Sequence, residues 1–264
     1  MLYLHAYVPY DTHELPPDEL HHALLTNVVF QSVLLFAVVM YAARQIAGAE
    51  TRAENERARS GALLDSILPG CIAERLKEAP GRIIANRYDE SSVLFADLAD
   101  FTSQAGNMTP EELVRFLDQV FTAFDGLAAR FGVEKIKTNG DGYMVAAGVP
   151  DPRPDHAQVL ADFSISMLGT ARSLKANVEL RIGIASGPVA AGVVGTNKFY
   201  SDVWGDTVNI ASRMESTAER GRIQVAESTA MLLAPGYRLE ARGSIDIKGK
   251  GLLPTWYLNG KRAV

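Results

Sequence analysis

Hydrophobic and polar positions divide this chain into three stretches: one long apolar run, one polar helical run, and a region where short apolar segments alternate with amphipathic ones. From Ala23 to Ala43 no residue is charged, and the run TNVVFQSVLLFAVVMYAA holds only Thr26, Asn27, Gln31 and Ser32 as polar groups. As a helix rising about 1.5 Å per residue it covers about 30 Å, the thickness of a hydrocarbon core. A buried helix of a soluble protein is the alternative, but apolarity on every face fits a transmembrane helix over 23–43 better. The following stretch, QIAGAETRAENERARSGALLDSIL, lacks proline and is rich in Ala, Glu and Arg, which predicts continued helix towards Pro69. Ile46, Ala49, Ala53, Ser60, Leu63 and Ile67 recur at spacings of three and four around a polar break at Glu56. Such a thin heptad seam suits a signal-passing helix and a plain linker alike. A short helical piece over 72–76 is ended by Pro80-Gly81, and the domain boundary is placed there.

From Ser91 onward the pattern predicts a compact α+β domain. SSVLFADL reads as a buried strand ending at Asp97. Thr109-Pro110-Glu111-Glu112 opens a helix with an N-cap, proline in the first turn and early acids. Leu113, Phe116, Leu117, Val120, Phe121 and Phe124 give that helix one apolar face. Val133 to Gly148 predicts a β-hairpin, since Asn139-Gly140 and Asp141-Gly142 are both two-residue turn signals flanked by apolar residues. In that reading Lys135 and Lys137 share one face of the first strand, and Asp141 sits at the tip. Further on come a helix over 155–175, the strand VELRIGIASG, a Gly-rich return over 187–195 and a helix over 207–218. RIQVA, a short helix at 227–233 and two strands around 237–247 and 255–258 complete the pattern.

Charge and composition narrow the chemistry. In 264 residues, 47% are hydrophobic and the formal net charge is -5, which leaves room for a full core and argues against a general nucleic-acid surface. The single cysteine, Cys71, excludes an internal disulfide and a Cys-rich metal knuckle. Acidic residues (Asp11, Glu14, Asp18, Glu19) precede the apolar run and Arg44, Arg52, Arg57 and Arg59 follow it. The positive-inside rule then places the C-terminal bulk in the cytoplasm. No basic stretch of a cleavable signal peptide precedes the run, and the loop-like acidic start is what the tail of a longer membrane protein would show. Asp97 and Asp141 are the acids that adjacent antiparallel strands can bring together, and two such carboxylates call for a hard cation, Mg²⁺ or Mn²⁺, completed by phosphate oxygens. Asp100 is either a third acid or a cap for the turn. His5, His13, His21, His22 and His156 are assigned to surface roles.

FADLADFT, EKIKTNGDGYM, FYSDVWGDTVNIASRME and IKGKGLLPTWYL, in this order, resemble the catalytic domain of class III nucleotidyl cyclases. The likeness covers about residues 63 to 260, with LLDSILPGCIAERL leading into it. Preceded by a membrane span and a helical linker, the arrangement is similar to mycobacterial membrane-anchored adenylyl cyclases. The resemblance implies an α+β fold, a ferredoxin-like antiparallel sheet with helices, and four parts. These are an extracytoplasmic segment 1–22, a transmembrane helix 23–43, a cytoplasmic linker and lead-in segment 44–80, and a catalytic domain 81–264.

The same resemblance implies roles. Asp97 and Asp141 hold two divalent cations, Lys137 and Asp202 read the adenine base, and Asn209 and Arg213 orient the ribose and stabilise charge on the phosphates. Lys248 meets the terminal phosphates, with Lys250 the lesser candidate, and Phe101 and Thr102 offer backbone N–H groups. The implied partners are ATP, a second copy of the chain that completes each site, and membrane lipid. The implied place is the cell membrane, with the catalytic domain cytoplasmic. Outside this context Asn209 reads as a surface amide and Arg213 as a partner for Glu215. Ala99-Asp100 departs from the small apolar residue and glycine of many relatives, and the extra carboxylate bears on the level of activity and not on the type of reaction. A guanylate cyclase and a catalytically silent nucleotide-binding module remain the competing readings. Lys137 and Asp202 oppose the first, because guanine presents N1–H and O6; the full residue set opposes the second.

Overall fold

A computed structural model describes residues 17–67, 84–101, 105–174, 178–194, 200–247 and 249–262. The chain divides into two compact units between Ile67 and Leu68. The boundary expected at Pro80-Gly81 and the lead-in segment after Ile67 lie outside the described residues. In the first unit one helix, α1, runs unbroken over Pro17–Ile67. Its part from His21 to Glu56 is long and apolar enough to cross a membrane and is not buried within the chain. Phe30, Leu35, Phe36 and Tyr41 there are each at least 66% exposed among the described residues.

The second unit is built on a seven-stranded sheet. Its strands are β2 (Ser92–Leu98), β3 (Glu134–Asn139), β4 (Gly142–Ala147), β5 (Leu180–Ser186), β8 (Arg222–Ala226), β9 (Tyr237–Ile247) and β10 (Gly251–Lys261). They lie in the order β3-β4-β2-β5-β8-β10-β9, antiparallel except for the parallel pair β5–β8. A small sheet of β1 (Ile84–Tyr88), β6 (Val189–Val194) and β7 (Tyr200–Trp204) has the order β1-β6-β7. The Gly-rich return of the sequence reading is strand β6.

Side chains alternate across β2 and β5 and so feed two cores. Leu94, Ile182 and Ile184 face a cluster with Phe124, Leu160 and Phe163, supplied by helices α2 (Pro110–Phe131) and α3 (His156–Ser173). Val93 and Ala185 face the other way, towards Val189 and Val203 of the small sheet and Ala211 and Met214 of helix α4 (Asp206–Ser216). A short helix, α5 (Glu227–Leu233), follows β8. The start of α2 is as its sequence predicts: Thr109 accepts from the Glu112 N–H, Glu112 reaches back, and Pro110 occupies the first turn. α4 rests on β5 at Gly183, where a Cβ would lie 2.0 Å from the Glu215 backbone nitrogen. Only glycine permits that approach, and it sets how deeply the helix seats.

His156 is not at the surface. It is 6% exposed, with its Nδ1 2.7 Å from Ser92 Oγ. From Ser92 the contacts continue through Ser186 Oγ at 2.6 Å to Thr229 Oγ1 at 2.9 Å. A neutral imidazole accepts from Ser92, which lets each hydroxyl in the chain donate in one direction. Burial holds the imidazole below its ordinary range, opposed by the Glu90 and Asp155 carboxylates and reinforced by the Arg153 guanidinium. The unfolded chain therefore takes up this proton at higher pH than the folded one, and stability is lost as pH falls through and below the ordinary histidine value of about 6.5. Melting temperature of the purified chain followed from about pH 7.5 to about pH 5 checks this: the His156→Asn variant should show the shallower decline.

Candidate active site

The hairpin closes on a two-residue loop, Gly140-Asp141, because Asn139 pairs with Gly142. Gly140 takes φ +61 at the first central position, where hairpin twist favours glycine. The loop places Asp141 beside the end of β2, close enough for its charge to act on the Asp97 carboxyl. Arg181, the register partner of Asp97 on β5, holds a guanidinium nitrogen 3.8 Å from Asp97 Oδ2. Burial, and after it the Asp141 charge, pushes the Asp97 carboxyl up to about 6 against the pull of Arg181.

Glu215, near the C-terminal end of α4, also belongs to this group. Burial pushes its carboxyl up to about 7, with further upward pressure from Asp97 and Asp141 and relief from Arg181. Glu215 is thus a third carboxyl within electrostatic range of the acid pair. Arg181 and Glu215 were missed in the sequence because a charge inside LRIGIAS reads as an outward strand position and one inside SRME as a helix-surface ion pair.

Lys137 and Asp202 meet directly: Lys137 Nζ donates to Asp202 Oδ2 at 2.6 Å. Asp202 is 6% exposed, and its second oxygen accepts from the Val203 N–H at 2.8 Å. The contact depends on a bulge. Lys135 lies opposite Val145 and Lys137 opposite Met144, so Ile136 is an extra residue. Lys135 and Lys137 consequently stand on opposite faces, contrary to the alternation expected of them. Lys135 turns to Asp125 of α2 at 2.7 Å, where Tyr143 also donates at 2.6 Å, while Lys137 turns to β7.

Asn209 and Arg213 are exposed on α4, one turn apart as the spacing predicts. Phe101 stacks on Phe116 with ring centroids 6.0 Å apart. Lys250 pairs with Asp206 at the start of α4, at 2.8 Å. Asp100 is bound by Arg220 at 2.7 Å, so it is not an uncompensated third acid. Thr102 and Lys248 lie outside the described residues. Among the described residues no group of three His, Cys, Asp or Glu side chains is arranged to hold a metal ion. The Asp97–Asp141 pair does fit a hard dication. It is an oxygen-only donor set whose mutual repulsion a bound cation would relieve.

An antiparallel sheet bearing two aspartates at the end of β2 and in the adjoining hairpin turn, and a Lys–Asp pair joining β3 to β7, is the architecture of a nucleotidyl cyclase core. Residues 83–260 match the family described as the Adenylate and Guanylate cyclase catalytic domain, and the chain belongs to that family. It is 50% identical over 259 residues to proteins named adenylate cyclase in Mycobacterium tuberculosis and Mycobacterium bovis, covering 97% of this chain. The chain spans 58% of the length of those relatives. The catalytic core of a rhodopsin-guanylyl cyclase with converted specificity, in complex with ATPαS, superposes with a TM-score of 0.65 at 33% identity. It covers 67% of this chain and 98% of that one. The adenylyl cyclase CyaB from P. aeruginosa superposes with a TM-score of 0.62 at 25% identity, over 67% of this chain and 97% of that one.

Proposed function

We propose that the protein is a membrane-anchored adenylate cyclase that converts ATP to 3′,5′-cyclic AMP and pyrophosphate. The observation that carries the substrate choice is the Lys137–Asp202 pair at 2.6 Å. An ammonium can donate to adenine N1 while the adjacent carboxylate accepts from the N6 amino group; guanine would meet a donor with N1–H and an acceptor with O6. Guanylate cyclases also occur among the relatives, for example a receptor-type enzyme of Caenorhabditis elegans at 39% identity. The base edge offered here favours ATP over GTP.

Asp97 and Asp141 are the residues that would hold two divalent cations, Mg²⁺ or Mn²⁺. When bound, such ions neutralise triphosphate charge and favour loss of the ribose 3′-hydroxyl proton. Asn209 orients the ribose so that O3′ lies in line with the α-phosphorus and the bridging oxygen to the β-phosphate. The O3′–P bond forms as that bridging bond breaks, and the electron pair leaves with pyrophosphate. Arg213 stabilises the charge that develops on the α-phosphoryl oxygens, and Lys248, Phe101 and Thr102 bind the phosphates from the chain around them.

The orientation of α4 supports a homodimer with shared sites. Asn209 and Arg213 lie on one exposed face, whereas Glu215, about 200° further round the helix from Arg213, is half-buried where α4 packs on β5. A second copy is then needed to bring Asn209, Arg213, Lys137, Asp202 and Lys248 to the Asp97–Asp141 pair of the first. The α1 helix supports anchoring over 23–43 between an extracytoplasmic 1–22 and a linker 44–80, with 81–264 as cytoplasmic catalytic domain. Product detection with ATP or GTP and each metal tests the activity, and absence of any cyclic nucleotide would refute it. Mixing Asp97→Ala with Lys137→Ala protein tests the sharing: one site in each mixed dimer carries neither lesion, so activity absent from both parents should reappear. A demonstrated mixed dimer without activity would overturn that arrangement.

A further inference from the structure

We propose that Arg220 is a positioning residue of this site, which clips the turn after β2 to the end of α4 and cancels the charge of Asp100. The proposal rests on the cyclase reading above. Asp100 has φ +60 and is the sole non-glycine with positive φ among the described residues. Sterics disfavour that region for an L residue, so something must hold the turn there.

Arg220 supplies two contacts. Its Nη2 donates to Asp100 Oδ1 at 2.7 Å, and its Nη1 pairs with Asp100 Oδ2. The two segments are also docked on successive carbonyls at the beginning of β5. The Ala99 N–H donates to Glu179 O at 2.9 Å and the Gly221 N–H to Leu180 O at 2.8 Å. The ion pair therefore closes a bracket across β5, one residue before Arg181. One arm carries Asp97, three residues before Asp100; the other follows the C-cap Thr217 of α4.

With side chains 53% and 40% exposed, a pair of this kind adds little to folding stability. Its larger effect is on an anionic ligand. Asp97, Asp141 and Glu215 already act on one another as like charges, with Arg181 opposing them, and without Arg220 the Asp100 carboxylate would add a further negative charge where a triphosphate must enter. Arg220 removes that repulsion while fixing the turn.

The test compares Arg220→Gln, Arg220→Lys, Asp100→Gly and the double variant Asp100→Gly/Arg220→Gln in the 264-residue chain. KM and kcat for ATP are measured, together with the Kd of a fluorescent ATP analogue, which needs no turnover. Arg220→Gln should raise KM and Kd about three- to tenfold through uncompensated charge, with kcat kept within about twofold. Arg220→Lys should restore most of the affinity, and adding Asp100→Gly to Arg220→Gln should return Kd to near the wild-type value. Both positions are exposed and glycine suits φ +60, so these chains fold. Wild-type affinity in Arg220→Gln would overturn the proposal. So would a weakened affinity that Asp100→Gly does not relieve, for Arg220 would then act on the nucleotide itself. A wild-type chain that binds the analogue but makes no cyclic product would instead refute the proposed activity, while the Kd series would still decide the clip.

Discussion

Asp97→Ala and Asp141→Ala each lower cyclic AMP formation by at least about 10³-fold, equivalent to roughly 4 kcal/mol of transition-state stabilisation. Each carboxylate is half of an oxygen-only donor set, and one alone would leave a dication with too few anionic ligands to be held there. The loss should appear with both Mg²⁺ and Mn²⁺ and should resist added metal. In metal-free buffer the same variants should melt no lower than the wild type, because removing one acid relieves a like-charged pair in which burial and Asp141 push Asp97 up to about 6. Full turnover in either variant would remove these residues from the metal site. A large drop in melting temperature would show that the acids hold the fold, which their mutual repulsion argues against.

The second large effect concerns base choice. Replacing Lys137 with Glu and Asp202 with Cys offers an acceptor to guanine N1–H and removes the carboxylate that faces O6. A site built on two such contacts can reject the wrong base by up to about 10⁴-fold, and each lost contact gives back part of it. The double variant should lose ATP turnover first and gain GTP turnover second, because the surrounding packing was not shaped for the purine C2 amino group. Buried Asp202 bonds to both Lys137 and a backbone N–H, so the single variants should do worse than the double: Lys137→Glu leaves two carboxylates face to face. The ratio of kcat/KM for ATP and GTP is the measurement. An unchanged ratio in folded double variant would mean that Lys137 and Asp202 do not read the base.

Local patterns carried much of the fold. The capped start of α2, the hairpin around Gly140, the apolar stripe of α2 and the buried run of β2 are short-range consequences of residue type, and the structure follows them. β1 and β6 were not anticipated, since IANRY and a Gly-rich return carry little alternation. β1 pairs with β6, about a hundred residues further along the chain, and β6 in turn with β7, so the small sheet depends on a partner distant in sequence.

The amino-acid sequence by itself determined the elements, the apolar α1, and the motifs that make the family recognisable, because these rest on periodicity and on residue order. Three features were decided only by the tertiary structure. A bulge at Ile136 sends Lys137 to Asp202 and Lys135 to Asp125, and alternation in Lys-Ile-Lys gives no sign of it. The seating of α4 on Gly183 brings Glu215 within electrostatic range of the acids and leaves Asn209 and Arg213 exposed. His156 and Asp100 took their partners from strands and loops remote in the chain. In each case the deciding contact joins residues far apart in sequence, and the energy of such a contact depends on which groups the packed sheet has already brought within reach.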